Sequence, residues 1–329
     1  MKRNIKIVGT GLYLPKRIVT SKELEEITGT KAEWINKVAG VHQRHYVVDE
    51  TSSYMGALAL KDALKNANYT YEDLDAIICA SGTAQQEIPC TAALIQEQMG
   101  QTMSGTPCFD INSTCLSFVT ALDLMSHAVE NGQYERIAII SSEIASVGLN
   151  YNQKESSVLF GDAACAVIIE KTTSGSHLIA SHMETYSEGA HFTEIRGGGT
   201  MLHPRVYTEE NAHDFLFDMN GKGVFKLSLR LIDDYMKTLL GKSNLTIKDI
   251  DMVVPHQASG SALGLMRKKL GVEEDKFMNV LKNYGNTIAS SIPLTLHLGI
   301  QQGRIKRGDT VLLLGTSAGL SLGGITFVY

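Results

Sequence analysis

Of the five cysteines in this 329-residue chain, Cys79, Cys90, Cys108, Cys115 and Cys165, one stands where a thiol could act as a nucleophile. Cys115 precedes a segment in which Leu116, Val119, Leu122 and Val129 share a face at helical spacing and which stops at Asn131-Gly132. In the first turn of a helix a thiol meets unpaired backbone N–H groups and the positive end of the helix dipole, so its pKa is expected to fall below the free value. Pro255-His256-Gln257-Ala258-Ser259 directly follows a predicted strand, and Tyr284-Gly285-Asn286-Thr287 contains a carboxamide. A thiolate, an imidazole and an amide are the parts needed to accept an acyl group and to hydrogen-bond an oxyanion.

An internal repeat brings these three groups together. Residues 68–78 resemble residues 244–254 at a displacement of 176, and residues 135–140 resemble residues 309–314 at 174. At 174, Asn112-Ser113-Thr114-Cys115 falls opposite Asn286-Thr287-Ile288-Ala289. We read the chain as two halves, 1–171 with the cysteine and 172–329 with the histidine and asparagine, parted where Lys171-Thr172-Thr173-Ser174-Gly175-Ser176 breaks the apolar pattern. Short β-branched runs such as 76–79, 137–141 and 166–169 alternate with helical spacing, which predicts an α/β fold with buried sheets. If the halves pack about a pseudo-twofold, their strand ends meet and Cys115, His256 and Asn286 share one pocket.

Composition removes other classes of function. With 43% hydrophobic and 20% charged residues the chain reads as globular, and a formal charge of -5 argues against coating nucleic acid. No run approaches the roughly 20 apolar residues of a membrane helix. Lys6 interrupts the short apolar stretch at the N-terminus, so we expect no export signal and a cytoplasmic protein. The cysteines lack a C-x-x-C pair and are expected to be reduced thiols. Gly9-Thr10-Gly11 lacks the third glycine of a dinucleotide fingerprint, and no phosphate-binding G-x-x-x-x-G-K motif occurs. His182, His191, His203 and His213 lack zinc-site spacing, so neither metal nor cofactor is expected.

Over nearly its whole length the chain resembles β-ketoacyl-acyl-carrier-protein synthase III, a thiolase-superfamily condensing enzyme. The likeness is carried by Gly9-Thr10-Gly11-Leu12-Tyr13-Leu14-Pro15, Glu33-Trp34-Ile35, Phe160-Gly161-Asp162-Ala163, Val254-Pro255-His256-Gln257-Ala258, Gly285-Asn286-Thr287 and Gly303-Arg304-Ile305-Lys306. The resemblance implies a thiolase-like fold of duplicated βαβαβ halves in five αβαβα layers, and a homodimer. It implies that Cys115 takes an acyl group from an acyl thioester and that His256 and Asn286 support decarboxylative condensation with a malonyl thioester, giving a 3-oxoacyl product. The backbone N–H groups of Cys115 and Ala318 would form the second oxyanion hole.

The same resemblance assigns Trp34, Lys154 and Ile88 to substrate binding. Here Val38 stands four residues after Trp34 in place of the family's arginine, Lys154 replaces a second arginine, and Ile88 replaces a larger aromatic gate. Lys226, Arg267, Lys268 and Lys269 fit a basic surface for an acidic acyl carrier protein. Glu87 lies where related head-to-head condensing enzymes carry a base from the partner subunit, so non-decarboxylative joining of two acyl thioesters is the alternative reaction. An inactive regulatory paralogue is the alternative of a different class.

Overall fold

The β-branched runs of the first half form a five-stranded sheet in the computed structural model, which describes residues 2–329. Its strands are β1 (Ile5–Tyr13), β2 (Ala76–Ala80), β3 (Cys108–Ile111), β4 (Arg136–Glu143) and β5 (Ala163–Lys171), in the spatial order β1-β5-β4-β2-β3. β2 is parallel to β3 and β4, and β5 is antiparallel to β4 and β1. In the second half β6 (His177–Thr185), β7 (Met252–Pro255), β8 (Thr310–Ser317) and β9 (Ser321–Val328) form a sheet in the order β7-β8-β9-β6.

These four strands repeat the order and sense of β2, β4, β5 and β1, with β7 parallel to β8 and β9 antiparallel to β8 and β6. Even the pairing of Ile77 with Cys108 has its counterpart, a parallel bridge between Val253 and Phe277. Both sheets are covered on both faces, which is why their strands read as continuous apolar runs instead of alternating ones.

Six helices complete the layers. α1 (Ser52–Ala67) and α2 (Thr91–Gln98) pack Met55, Leu60 and Ile95 on the outer face of the first sheet against Ile77, Ile140 and Ile168. α4 (Gly221–Ser243) and α5 (Gly260–Leu270) cover the other sheet, with Tyr235, Leu239 and Leu263 against Val253, Leu312 and Leu314. Between the sheets lie α3 (Ser117–Glu130) and α6 (Ser291–Gln301), where Leu122, Met125, Ile292 and Leu296 join Ile78, Ile139, Val254 and Leu313 in one core. The result is a five-layered αβαβα stack.

The stripe predicted for α3 is buried, and the helix closes at Asn131 ahead of Gly132, whose φ of 76° suits glycine. Because α6 is sandwiched, it is apolar nearly all round rather than along one stripe. Fully burying each such leucine or isoleucine contributes about 1.5–3 kcal/mol, so this middle layer anchors the starts of the two helices that border the site. Among the described residues, no helix is long and apolar enough to cross a membrane.

Candidate active site

The first turns of α3 and α6 are built alike. A 3₁₀ turn, Thr114–Leu116, leads into α3, and another, Ile288–Ser290, leads into α6. Thr114 and Ile288 both have φ of 51°, an uncommon left-handed conformation for residues that are β-branched. A side chain compensates each time: Asn112 Oδ1 accepts the Thr114 N–H at 2.8 Å, and Asn286 Oδ1 accepts the Ile288 N–H at 2.9 Å. Since Oδ1 of Asn286 is engaged, its Nδ2 is the end left to donate.

His256 follows β7 and is 4% exposed. Its backbone N–H bonds Leu314 O at 2.8 Å, and its Nδ1 lies 2.6 Å from Ser291 Oγ in the first turn of α6. The Ser291 oxygen accepts a long bond from the Gln257 N–H, and the hydroxyl has no other acceptor among the described residues, so it donates to Nδ1. That assignment leaves the ring proton on Nε2. Burial lowers the His256 pKa to about 4, so the imidazole is neutral at physiological pH. Gly315 of β8 makes room for it: a Cβ there would lie 2.9 Å from His256 Cβ and 3.1 Å from Leu116 Cδ2.

A cavity of about 360 Å³ brings Cys115, His256, Asn286 and Ala318 together with Thr83, Glu194 and Phe160. The Ala318 N–H makes no hydrogen bond within the protein among the described residues, and is available to an oxyanion. No group of three or more His, Cys, Asp or Glu among the described residues could hold a metal ion.

The expected depression of the Cys115 pKa is overturned. Burial pushes its thiol up to about 12, and the charge of Glu143 adds to the rise. The α-helix proper begins only at Ser117, after a 3₁₀ turn, so Cys115, itself only partly exposed, faces a single backbone turn. Desolvation of a thiolate outweighs that turn's attraction.

Residues 109–187 match the family described as 3-Oxoacyl-[acyl-carrier-protein (ACP)] synthase III, and residues 240–329 match its C-terminal counterpart. Beta-ketoacyl-[acyl-carrier-protein] synthase III of Aquifex aeolicus is 33% identical over 324 residues, covering 98% of this chain and 99% of the relative. The solved Aquifex aeolicus structure superposes with a TM-score of 0.90 at 32% identity, covering 99% of this chain and 100% of that one. A Thermus thermophilus synthase III structure gives 0.89 at 29% identity, covering 98% of each chain.

The chain belongs to the 3-oxoacyl-[acyl-carrier-protein] synthase III family. It has the family's thiolase fold. The two matched segments contain Cys115 and, in the second, both His256 and Asn286.

The other residues singled out by that resemblance lie apart from the cavity. Trp34 is half-buried, with Lys154 Nζ 5.0 Å from its ring centroid. It borders a surface pocket with Val38, Leu159, Met219, Gly221, Phe225 and Ser259. The last five also line a largely apolar cavity of about 190 Å³ that reaches His256 and Asn286, so a route joins Trp34 to the donors. Glu87 and Ile88 are exposed, Ile88 at 83%, and neither lines the Cys115 cavity of its own protomer.

Of the basic residues, Lys269 is paired with Asp233 at 3.0 Å and Arg267 reaches Glu274 at 3.9 Å, whereas Lys226 and Lys268 are exposed without an ion pair among the described residues. Sequence reasoning missed Ser291 and Glu143. For Ser291 a signal existed, because Ser117 stands 174 positions earlier at the same point of the repeat.

Proposed function

We propose that the protein is a 3-oxoacyl synthase: it accepts an acyl group on Cys115 from an acyl thioester and condenses it with a malonyl thioester, carried by acyl carrier protein. The observation that carries this reading is the convergence of a thiol with two neutral donors, His256 Nε2–H and Asn286 Nδ2, whose opposite ends are both engaged by the fold. In the first step the Cys115 sulfur bonds to the acyl carbon and the donor thiolate leaves, carrying overall the proton that Cys115 loses. In the second, the malonyl thioester releases carbon dioxide, and the electron pair of that bond becomes an enolate whose oxygen is held by the two donors. The enolate carbon attacks the acyl-enzyme, the resulting oxyanion takes the N–H groups of Cys115 and Ala318, and the Cys115 thiolate departs. Neutral donors suit this chemistry because they stabilise charge that appears only during reaction.

Trp34 and Lys154 would bind the thioester's carrier arm along the route to the donors, and Ile88 of a partner subunit would border the acyl chain. We infer a homodimer, a cytoplasmic location, carrier docking at Lys226, Arg267, Lys268 and Lys269, and two duplicated halves, 1–171 and 172–329. The chemistry needs no metal and no cofactor beyond its thioester substrates. Head-to-head condensation with Glu87 as base gains no support from a single protomer, in which Glu87 is exposed.

The test is a product assay that pairs acyl primers with malonyl-carrier protein, malonyl-coenzyme A or no malonyl donor. Carbon dioxide released in step with a 3-oxoacyl product is the expected result. Product formed without any malonyl donor would replace this reading with the head-to-head one.

A further inference from the structure

Glu143, at the end of β4, is fully buried and takes no part in the steps above. Its Oε1 accepts the Gly82 N–H at 2.6 Å, and its Oε2 accepts the Thr83 N–H at 2.9 Å and the Thr83 hydroxyl at 2.5 Å. On its other side lies the first turn leading to α6, where the Ala289 N–H also favours the charged form of the carboxylate. Ala289 is the repeat's counterpart of Cys115, so the carboxylate meets the start of α6 as an anion meets the N-terminus of a helix.

The turn gripped by this carboxylate touches both site-forming turns. A Cβ on Gly82 would lie 3.0 Å from Ile288 Cγ2 and 3.3 Å from Thr114 Cα. Ile288 supplies the N–H that fixes Asn286 Oδ1, and Thr114 precedes Cys115. One carboxylate therefore links three segments whose mutual spacing sets the distance from thiol to amide. A glutamine could not replace it without aiming an NH₂ group at backbone N–H donors.

We propose that Glu143 is a positioning residue for condensation, pinning the Gly82–Thr83 turn against the start of α6 so that Asn286 is held against the cavity. Its charge also opposes ionisation of Cys115. The kinetic half of this inference depends on the roles given above to Cys115 and Asn286. The charge half depends only on the thiol. Burial raises the Glu143 pKa to about 7, so near neutral pH the carboxylate exchanges between its charged and neutral forms. Other ionisable groups face the pair: His256 and Glu194 from the cavity, and Cys79 from β2 toward Glu143. His256 is neutral, and Glu194 is engaged by Arg196 at 2.9 Å and by His191 at 2.8 Å.

The experiment compares the wild-type protein with Glu143→Gln in three measurements. These are the rate of Cys115 alkylation by iodoacetamide from pH 7 to 9.5, the acylation of Cys115 by an acyl thioester, and malonyl decarboxylation on the acylated protein. We expect alkylation to quicken about twofold at pH 7, where about half of the carboxylate is already neutral, and about tenfold at pH 9.5, where it is fully charged, the effect of one pKa unit on the thiolate fraction. Acylation should not slow, and decarboxylation should fall about tenfold or more as the enolate donor loses its alignment. A carboxylate that merely stabilised the fold would lower acylation and decarboxylation together, and that outcome, or unchanged alkylation, overturns the proposal.

Thr83→Val and Thr83→Ser provide the second arm should Glu143→Gln not fold. Loss of the hydroxyl in Thr83→Val should move alkylation and decarboxylation in the same opposite directions, and Thr83→Ser should restore both. Equal behaviour of the two Thr83 variants overturns the proposal as well. A wild-type protein that never condenses would sink the functional reading itself, while the alkylation comparison, which uses no thioester, still decides the charge half.

Discussion

The Ser291 hydroxyl lies 2.6 Å from His256 Nδ1, and this contact decides which ring nitrogen can face a substrate. With Nδ1 acting as acceptor, Nε2 keeps its proton and is a donor without a positive charge. The two residues come from different elements, the loop after β7 and the start of α6, so the tautomer is a product of how the second half packs.

Ser291→Ala should therefore leave Cys115 acylation near wild type while lowering condensation about 10- to 100-fold, the usual cost of losing an orienting partner. Ser291→Thr keeps a hydroxyl at that place and should recover most of the loss. Separate assays of acyl-enzyme formation and carbon dioxide release check this, and an Ala variant that condenses normally would show that the Nδ1 contact is immaterial.

Incubation with acyl thioesters should give a single acyl adduct on the peptide containing Cys115, and Cys115→Ala should give none. Of the other four cysteines, Cys79 and Cys165 are fully enclosed, with their thiol pKa values driven strongly upward by burial, and Cys90 and Cys108 do not line the cavity. Peptide mass spectrometry decides the matter. An adduct that persists in Cys115→Ala would remove the nucleophile from this account.

Much of the site was legible because its parts sit in short local motifs. Cys115, His256 and Asn286 could each be read from neighbouring residues, and the displacement of 174 to 176 showed that they belong to equivalent places in two halves. The repeat fades after β4 because 19 residues, 144–162, separate β4 from β5, whereas only three separate β8 from β9. Glu143 could not be picked out, since a carboxylate at a strand end looks the same whether it meets water or three donors. The direction of the Cys115 pKa was misjudged for a related reason: a helix start is visible in sequence, but the walls that partly desolvate the thiol include residues more than a hundred positions away, such as Thr316 and Ala318.

The buried imidazole makes a pH prediction with a definite sign. In the unfolded chain His256 binds a proton below its ordinary pKa of 6.5, whereas in the native protein it does so only below about 4. Within that window the unfolded state holds more protons, so this residue's contribution to stability declines as pH falls from 6.5 toward 4. Glu143 acts oppositely, its native pKa of about 7 standing above the ordinary 4.5, so its contribution declines as pH rises through 4.5 to 7. Removing only the histidine should isolate the first effect: relative to wild type, His256→Ala should gain about 2–3 kcal/mol between pH 7.5 and pH 4.5. Urea unfolding at the two pH values measures this difference, and a constant offset would contradict a neutral, enclosed imidazole.

Glu87 separates the two possible reactions. A malonyl donor forms its carbanion by losing carbon dioxide, whereas an unactivated acyl α-carbon needs a base, worth about 10²–10⁴-fold. Glu87→Gln should thus change malonyl-dependent condensation by less than about threefold, far below that range. A loss on the scale of a missing base, in a protein of unchanged oligomeric state, would mean that the carboxylate takes part.

The sharpest test of the donor geometry uses a change of two atoms' character at Asn286. Because Oδ1 accepts the Ile288 N–H at 2.9 Å, Asn286→Asp can keep that bond and with it the left-handed turn at Ile288. What changes is the other end of the group, where a donating NH₂ becomes an oxygen that repels an enolate. Acylation of Cys115 should continue, since it does not call on this donor, whereas decarboxylation of the malonyl thioester should fall by about 10²–10³-fold or more, the cost of losing one oxyanion donor. Thermal unfolding and acyl-enzyme mass spectrometry on the same preparation establish that the turn and the thiol are intact, and carbon dioxide release reports the lost step. If Asn286→Asp decarboxylates at the wild-type rate, the enolate oxygen does not lie at Nδ2, and His256 must hold it with some other partner.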